Sequence, residues 1–188
     1  MSVVLIPLLL GFACNSVSAF TAAFSRRWGP QRGPWVTVVL RNVLGIPLWV
    51  TGLVLAVRSP SRELFAASAL VQSFGWVLLI AGCGVQLMAV ASLRGRAAKP
   101  SIDDALVDHG AYAHIRHPIY AGLLLEFAAL VLVRPRRAVA MACALGMLWT
   151  LLQARLEETD LLQRMPSYRD YLARVPGFVP RVRARAPR

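Results

Sequence analysis

The sequence predicts an all-α integral membrane protein, with about five transmembrane helices and a C-terminal cytosolic helix, on three observations. Hydrophobic residues make up 57% of the 188 and charged residues only 16%, at a mean hydropathy of +0.56. That is more apolar than a water-soluble globule, which has to cover itself with polar groups. Apolar runs of membrane-crossing length recur, since a hydrocarbon core of about 30 Å takes about 20 helical residues. The charges are read as collecting in the gaps between these runs and in the tail.

The elements follow in order. The first run extends from Val3 to Phe24. Ser16-Val17-Ser18-Ala19 has the small residues of a signal-peptide cleavage site, but no Lys or Arg precedes the apolar stretch. Gly11, three before Cys14, makes a poor lipoprotein site, so a retained first helix is expected. Trp35 to Val57 and Ala66 to Leu93 give the second and third spans, and a polar stretch from Arg94 to His117 follows. Ile119 to Val133 and Ala138 to Leu152 are two shorter runs of 15 residues each. Arg134-Pro135-Arg136-Arg137 between them makes an antiparallel hairpin, because proline lacks an N–H and disfavours helix in the residue before it. From Arg155 the chain is expected to leave the membrane as a helix with Leu156, Leu161, Leu162 and Met165 on its apolar side, until Pro176 and Pro180 break it. The expected organisation is one domain: a membrane part (1–93), a site-forming part (94–180) and a basic end (181–188) attracted to anionic headgroups.

Orientation is read from the basic residues. Of 21, only Lys99 is lysine, a bias that fits a bacterial, GC-rich origin, and the net charge is +12. Arg26, Arg27, Arg32, Arg94, Arg96, Lys99, Arg116 and the arginines from Arg164 onward fall on one side; Arg58, Arg62, Arg134, Arg136 and Arg137 fall on the other. The positive-inside rule then predicts an inner-membrane protein with its N-terminus outside and its C-terminus and active site cytosolic. No polar face strings the arginines together, which argues against nucleic-acid binding. Cys14, Cys83 and Cys143 each lie within an apolar run, so they read as packing residues, not disulfide or zinc ligands.

Two polar clusters, Asp103 to Tyr120 and Arg155 to Tyr171, flank the hairpin and share one side of the membrane. In the first, Pro118 pushes His117 toward extended backbone and suits a helix start, so helix N–H groups are expected to face a ligand carboxylate. Gly110 and Gly122 allow close backbone approach. The plainer reading of Arg116 and His117 is anchoring to phosphate headgroups, with Tyr112 and Tyr120 in the aromatic belt. His109, His114 and His117 match no metal-ligand spacing, and no metal site is expected. In the second cluster, Arg155 and Glu158 are spaced to pair on one helix face, while adjacent Glu157 and Glu158 point about 100° apart. Glu126 inside the fourth span is a candidate substrate contact by the rarity of buried acids in lipid; a hydrogen bond to a neighbouring helix is the alternative.

These residues resemble the isoprenylcysteine carboxyl methyltransferases and their relatives among the phospholipid methyltransferases. The matching pattern is Leu106-Val107, Gly110-Ala111-Tyr112 and Arg116-His117-Pro118-Ile119-Tyr120-Ala121-Gly122, then Arg155, Glu157-Glu158, Tyr168-Arg169-Asp170-Tyr171, Val175-Pro176 and Pro180. Met165-Pro166 stands where the family has Phe-Gly. The resemblance covers Leu106 to Pro180. It implies S-adenosylmethionine as cofactor, cradled by Leu106, Val107, Gly110, Tyr112, His114, His117, Pro118 and Tyr120, with Glu157 or Glu158 on its polar groups. It also implies that Arg116 orients the acceptor's carboxylate or the cofactor; a planar guanidinium fork suits a carboxylate, which makes Arg155 the second choice. The expected acceptor is an isoprenylated cysteine or similar lipid-like acid entering from among membrane lipids. A phospholipid amine is the alternative and would need a base, His114 or Glu158. A nicotinamide-dependent reductase of the sterol reductase type and a non-catalytic membrane module are the remaining readings.

Overall fold

The computed structural model describes residues 1–94 and 105–181. Arg96, Lys99 and Asp103, and the basic end from residue 182, lie outside the described residues.

The chain forms α1 (Ser2–Ser18), α2 (Thr21–Trp28), α3 (Gly33–Val38), a π-helical stretch (Val39–Gly45), α4 (Ile46–Arg58), α5 (Ala69–Leu93), a 3-10 turn (Gly110–Ala113), α6 (Pro118–Val133), α7 (Arg137–Arg164) and α8 (Tyr168–Arg174). No strand occurs among the described residues beyond an isolated bridge between Glu63 and Arg136. Three helices are long and apolar enough to cross a membrane: the continuous Gly33–Arg58, α5 and α7. The bent pair α1 and α2 makes a fourth if counted as one span, and α6 is shorter at 16 residues. The protein is therefore an all-helical integral membrane protein.

Two expectations about the elements need correction. The run Val3 to Phe24 is not one rod, because the chain turns by 65° between α1 and α2. Asp160 of α7 holds the turn: its Oδ1 accepts the Ala22 N–H at 2.8 Å, supplying α2 with the acceptor its first turn lacks. The fifth apolar run and the helix expected to follow it are one helix of 28 residues, α7. Between Leu152 and Arg164 there is neither Gly nor Pro, so nothing interrupts it before Pro166.

Small residues set the packing. On α5 the buried positions are Gly75, Gly82 and Ala89, seven apart, a period that keeps one seam against a partner helix in a left-handed crossing. The partner is α6, and the fit is close: a Cβ at Gly82 would lie 2.7 Å from the Gly122 oxygen, and one at Gly122 2.6 Å from the Gly82 oxygen. The rest of α5, with Leu70 80% exposed and Ile80 and Leu87 each 70% exposed, suits lipid. Between α1 and α4, a Cβ at Gly52 would meet Leu8 at 2.8 Å. The centre of the bundle is aromatic: Phe12 stacks on Trp149 at 4.5 Å, and Trp49 meets the edge of Phe127 at 6.5 Å. Trp149 Nε1 donates to Ser16 Oγ at 3.2 Å, which joins α7 to α1.

The two connections at one end, 59–68 and 134–136, pair with each other. Leu64 N–H donates to Pro135 O at 2.8 Å and Arg137 N–H to Arg62 O at 2.9 Å. Arg58, Arg62, Arg134, Arg136 and Arg137 thus share that end, and the segments flanking the polar clusters meet at the other.

Candidate active site

The loop before α6 is positioned from both sides. Gly110 sits at φ +60, where a side chain is strained, and any Cβ there would collide with Ser92 Oγ. The same Ser92 Oγ accepts the Ala111 N–H at 3.3 Å, pinning the loop to the end of α5. Pro118 then opens α6, and Ala121 N–H returns to His117 O at 2.8 Å.

The segment after α7 folds back over this loop. Arg116 N–H donates to Pro176 O at 2.8 Å, His117 N–H to Gly177 O at 3.0 Å, and Tyr171 OH to Tyr112 O at 2.7 Å. The backbone donors of the two residues just before α6 are thus satisfied by the chain's own C-terminal segment.

Side chains lock the same junction. Glu158 Oε1 accepts from Arg116 Nε at 2.9 Å and pairs with His117 Nε2 at 2.8 Å, the two partners being 16% and 6% exposed. Arg116 Nη1 donates to both Leu172 O, at 3.2 Å, and Val175 O. The His117 ring stacks between Tyr120 at 5.8 Å and Phe178 at 5.5 Å. One helical position away, Glu157 points elsewhere: its Oε1 accepts from Tyr120 OH and, at 3.3 Å, from Gln153 Nε2. Glu157 Oε2 has no protein donor among the described residues.

These groups surround a cavity of about 540 Å³. One wall comes from the loop, α6, the end of α7 and α8, including Leu106, Val107, Tyr112, Tyr120, Glu157 and Tyr168; the other comes from α1, the π-helical stretch and α4, including Arg41, Asn42, Ile46 and Trp49. Burial pushes the Tyr171 phenol up to about 12, with Arg116 opposing and Asp108 reinforcing the shift. Burial also raises Tyr112 and Tyr168 well above the usual phenol range, helped by the negative charges of Glu157 and Glu158. All three are neutral hydrogen-bond donors near pH 7, not bases.

Of the residues singled out in sequence, Leu106, Val107, Tyr112, Arg116, His117, Tyr120, Glu126 and Glu157 line the cavity. Gly110, His114, Pro118, Arg155 and Glu158 do not. His114 and Gly110 are exposed, Pro118 is buried at the start of α6, and Glu158 is bonded to Arg116 and His117. Arg155 is exposed on the outer side of α7, and the pairing expected between it and Glu158 is replaced by the bonds of Glu158 to Arg116 and His117. The three histidines do not converge, and no metal-holding group of His, Cys, Asp or Glu forms among the described residues.

Sequence reasoning missed Arg41 and Asn42 at the cavity wall; of the two, Arg41 breaks the expectation that charges avoid the spans. An ionisable residue inside the apolar run Trp35 to Val57 was the signal available. It also passed over Tyr168 and Tyr171 as site residues, although both belong to the motif and line the cavity.

Residues 76–163 match the model of the isoprenylcysteine carboxyl methyltransferase (ICMT) family. The resemblance read from the sequence over Leu106 to Pro180 is therefore shared by the match over residues 106–163, and the match extends upstream to residue 76. No curated protein and no solved structure matches the chain.

Proposed function

We propose, from the premise that residues 76–163 carry the pattern of the isoprenylcysteine carboxyl methyltransferases, that this protein transfers a methyl group from S-adenosylmethionine to the carboxylate of a lipophilic acid such as an isoprenylated cysteine. The observation that carries the reading is the convergence of both motif segments on one cavity whose far wall is a membrane helix. We further propose five membrane segments, with α1 and α2 counted as one bent span and α6 as a short one. The N-terminus lies outside and the site at the cytosolic face of an inner membrane.

The residues present fit the cofactor. A volume of about 540 Å³ is within the range of pockets for ligands of this size. Glu157 Oε2 supplies an acceptor for ribose hydroxyls or an ammonium group, and Leu106, Val107, Tyr112 and Tyr168 give an apolar, aromatic surface for a purine and a sulfonium. When bound, S-adenosylmethionine supplies an electrophilic methyl group on sulfur. The chain's part is to hold and orient. A carboxylate acceptor is already ionised at pH 7, so no side chain has to remove a proton. This favours an acid over a phospholipid amine: His114 is exposed and Glu158 is engaged by Arg116 and His117, so neither base candidate stands at the cavity wall. Arg116 acts as a positioning residue, because its Nε and Nη1 donors are committed to Glu158, Leu172 and Val175.

The test uses the purified protein in lipid nanodiscs. S-adenosylmethionine should bind in a calorimetric titration while NADPH does not, and label from its methyl group should pass to an S-prenylcysteine acid. Alkali should release that label as methanol, as it does from a methyl ester but not from an N-methyl group. Alkali-stable label would move the reading to amine methylation, and NADPH binding alone would end it.

A further inference from the structure

Ile46, Leu123 and Trp149 give the cavity an apolar part suited to a lipid tail, yet two polar side chains of α5 and α6 line the cavity as well: Gln86 and Glu126. We propose that Glu126 and Gln86 form a hydrogen-bonding subsite for a hydroxyl carried in the acceptor's lipid tail, an inference that rests on the methyltransferase reading. The glycine seam brings both side chains there. A Cβ at Gly82 would lie 2.8 Å from Glu126 Cγ, and one at Gly122 2.6 Å from Gln86 Cγ, so each half-buried side chain runs over the glycine of the facing helix. The Gln86 amide and the Cys83 thiol are the hydrogen-bonding neighbours of Glu126. Close backbone approach at the glycines already joins the two helices, so the seam does not depend on these polar groups. An acid inside an apolar helix is costly and is retained where it faces a cavity.

The chemistry of these groups selects a hydroxyl. Glu126 and Gln86 both accept hydrogen bonds through their side-chain oxygens. On the other wall Trp49 of α4 lines the same cavity, and its buried Nε1–H has no acceptor among the described residues. A hydroxyl donates one hydrogen bond and accepts two, so it suits both an acid and an indole N–H. A plain hydrocarbon tail suits neither, and would take both groups out of water with nothing in return. Position along the helix fixes where in the acceptor the hydroxyl belongs. Tyr120, bonded to Glu157, marks the cofactor end of the cavity, and Glu126 follows six positions later, about 9 Å further along α6. The hydroxyl therefore sits in mid-chain, well away from the carboxylate that receives the methyl group.

The experiment reads binding without turnover. A fluorescent fatty acid is displaced from the protein in nanodiscs by a fatty acid hydroxylated in mid-chain, by one hydroxylated beside the carboxylate and by the unsubstituted parent, with empty nanodiscs as the blank. Wild type, Glu126→Gln, Glu126→Leu and Gln86→Leu are compared, and thermal midpoints verify folding. Wild type should prefer the mid-chain hydroxyl over the other two acids by about tenfold. Glu126→Leu should bring that preference to within about twofold while still binding the parent acid, and Glu126→Gln and Gln86→Leu should each keep only part of it. S-adenosylmethionine affinity should stay within about twofold in all of them. A Glu126→Leu protein that keeps the full preference overturns the subsite, as does a wild type that binds the three acids alike or binds none. Should Glu126→Leu fail to fold, the two milder variants decide: full preference in both assigns the pair to helix packing and overturns the proposal. A parallel loss of cofactor affinity would overturn it too, by moving Glu126 to the cofactor. Failure of wild type to bind S-adenosylmethionine would instead sink the methyltransferase reading, while the comparison of hydroxylated and parent acids still decides whether Glu126 and Gln86 hold a hydroxyl.

Discussion

The two walls of the cavity are built differently. On the C-terminal wall nearly every polar group has a protein partner: Glu158 engages Arg116 and His117, Arg116 reaches two carbonyls of the C-terminal segment, and the backbone of residues 116 and 117 is bonded to residues 176 and 177. On the N-terminal wall, α1 contributes Asn15 and Ser18, and the continuous helix Gly33–Arg58 contributes Arg41 and Asn42 from its π-helical stretch and Trp49 from α4. The difference teaches a division of labour. An interlocked wall suits a ligand that is always the same, since preorganised groups lose little freedom on binding. A wall lined by side chains of α1 and the helix Gly33–Arg58 can change its lining by substitution and leave that lock standing.

The sharpest way to break this comparison is to separate the adjacent carboxylates. Glu158→Gln leaves Arg116 and His117 without their shared anion in a largely buried place, and removing one partner of such a group costs about 3 kcal/mol or more. The C-terminal segment should then undock, with faster tryptic cleavage after Arg169 and Arg174 and a fall in S-adenosylmethionine affinity of about a hundredfold. Glu157→Gln should weaken the cofactor by about tenfold with the tryptic pattern unchanged, since among the described residues Glu157 bonds Tyr120 and Gln153 and not the C-terminal segment. If the tryptic pattern responds to Glu157 and not to Glu158, the locked wall has been assigned to the wrong residue.

That outcome bears on how much was legible in advance. The matched pairs Arg116-His117 and Glu157-Glu158 are local in sequence, and helical geometry alone says the two acids cannot share a task. Which acid faces inward was not legible, because it depends on the rotation of α7, set by Asp160 against α2 and Trp149 against Ser16. Helix identity was legible from apolar runs, whereas the turn after Ser18 was not, because the acceptor for the Ala22 N–H comes from 138 positions away. Arg41 was visible as a letter in the chain. Its meaning needed the third dimension, where a span with no motif of its own completes the cavity.

A smaller effect tests what supports the locked wall. Gly82→Leu drives a side chain into the backbone oxygen of Gly122, which cannot yield as a flexible side chain would, and should destabilise the protein by about 2 kcal/mol. Gly84→Leu is the matched control, since a Cβ at Gly84 meets nothing within 4 Å. Thermal midpoints in nanodiscs should fall for the first and hold for the second. Equal losses at both positions would mean that the α5–α6 seam is not set by close backbone approach.

The smallest change probes one bond of the lock. Tyr171→Phe removes the hydrogen bond to Tyr112 O at 2.7 Å, about 1 kcal/mol, so cofactor affinity should weaken by about fivefold. The phenol also leaves a pH signature. Its pKa is raised from 10.0 to about 12 by burial, so the folded protein holds a proton that the unfolded chain releases first. The stabilisation from that difference is complete below pH 10 and is lost as the pH rises toward about 12. Thermal midpoints measured between pH 9 and 11 should therefore fall less steeply in Tyr171→Phe than in wild type. Part of the slope should persist, because Tyr112 and Tyr168 are shifted in the same direction. Identical slopes would show that the Tyr171 hydroxyl reaches water in the folded protein, and the loop before α6 would then be held by Arg116 and His117 without it.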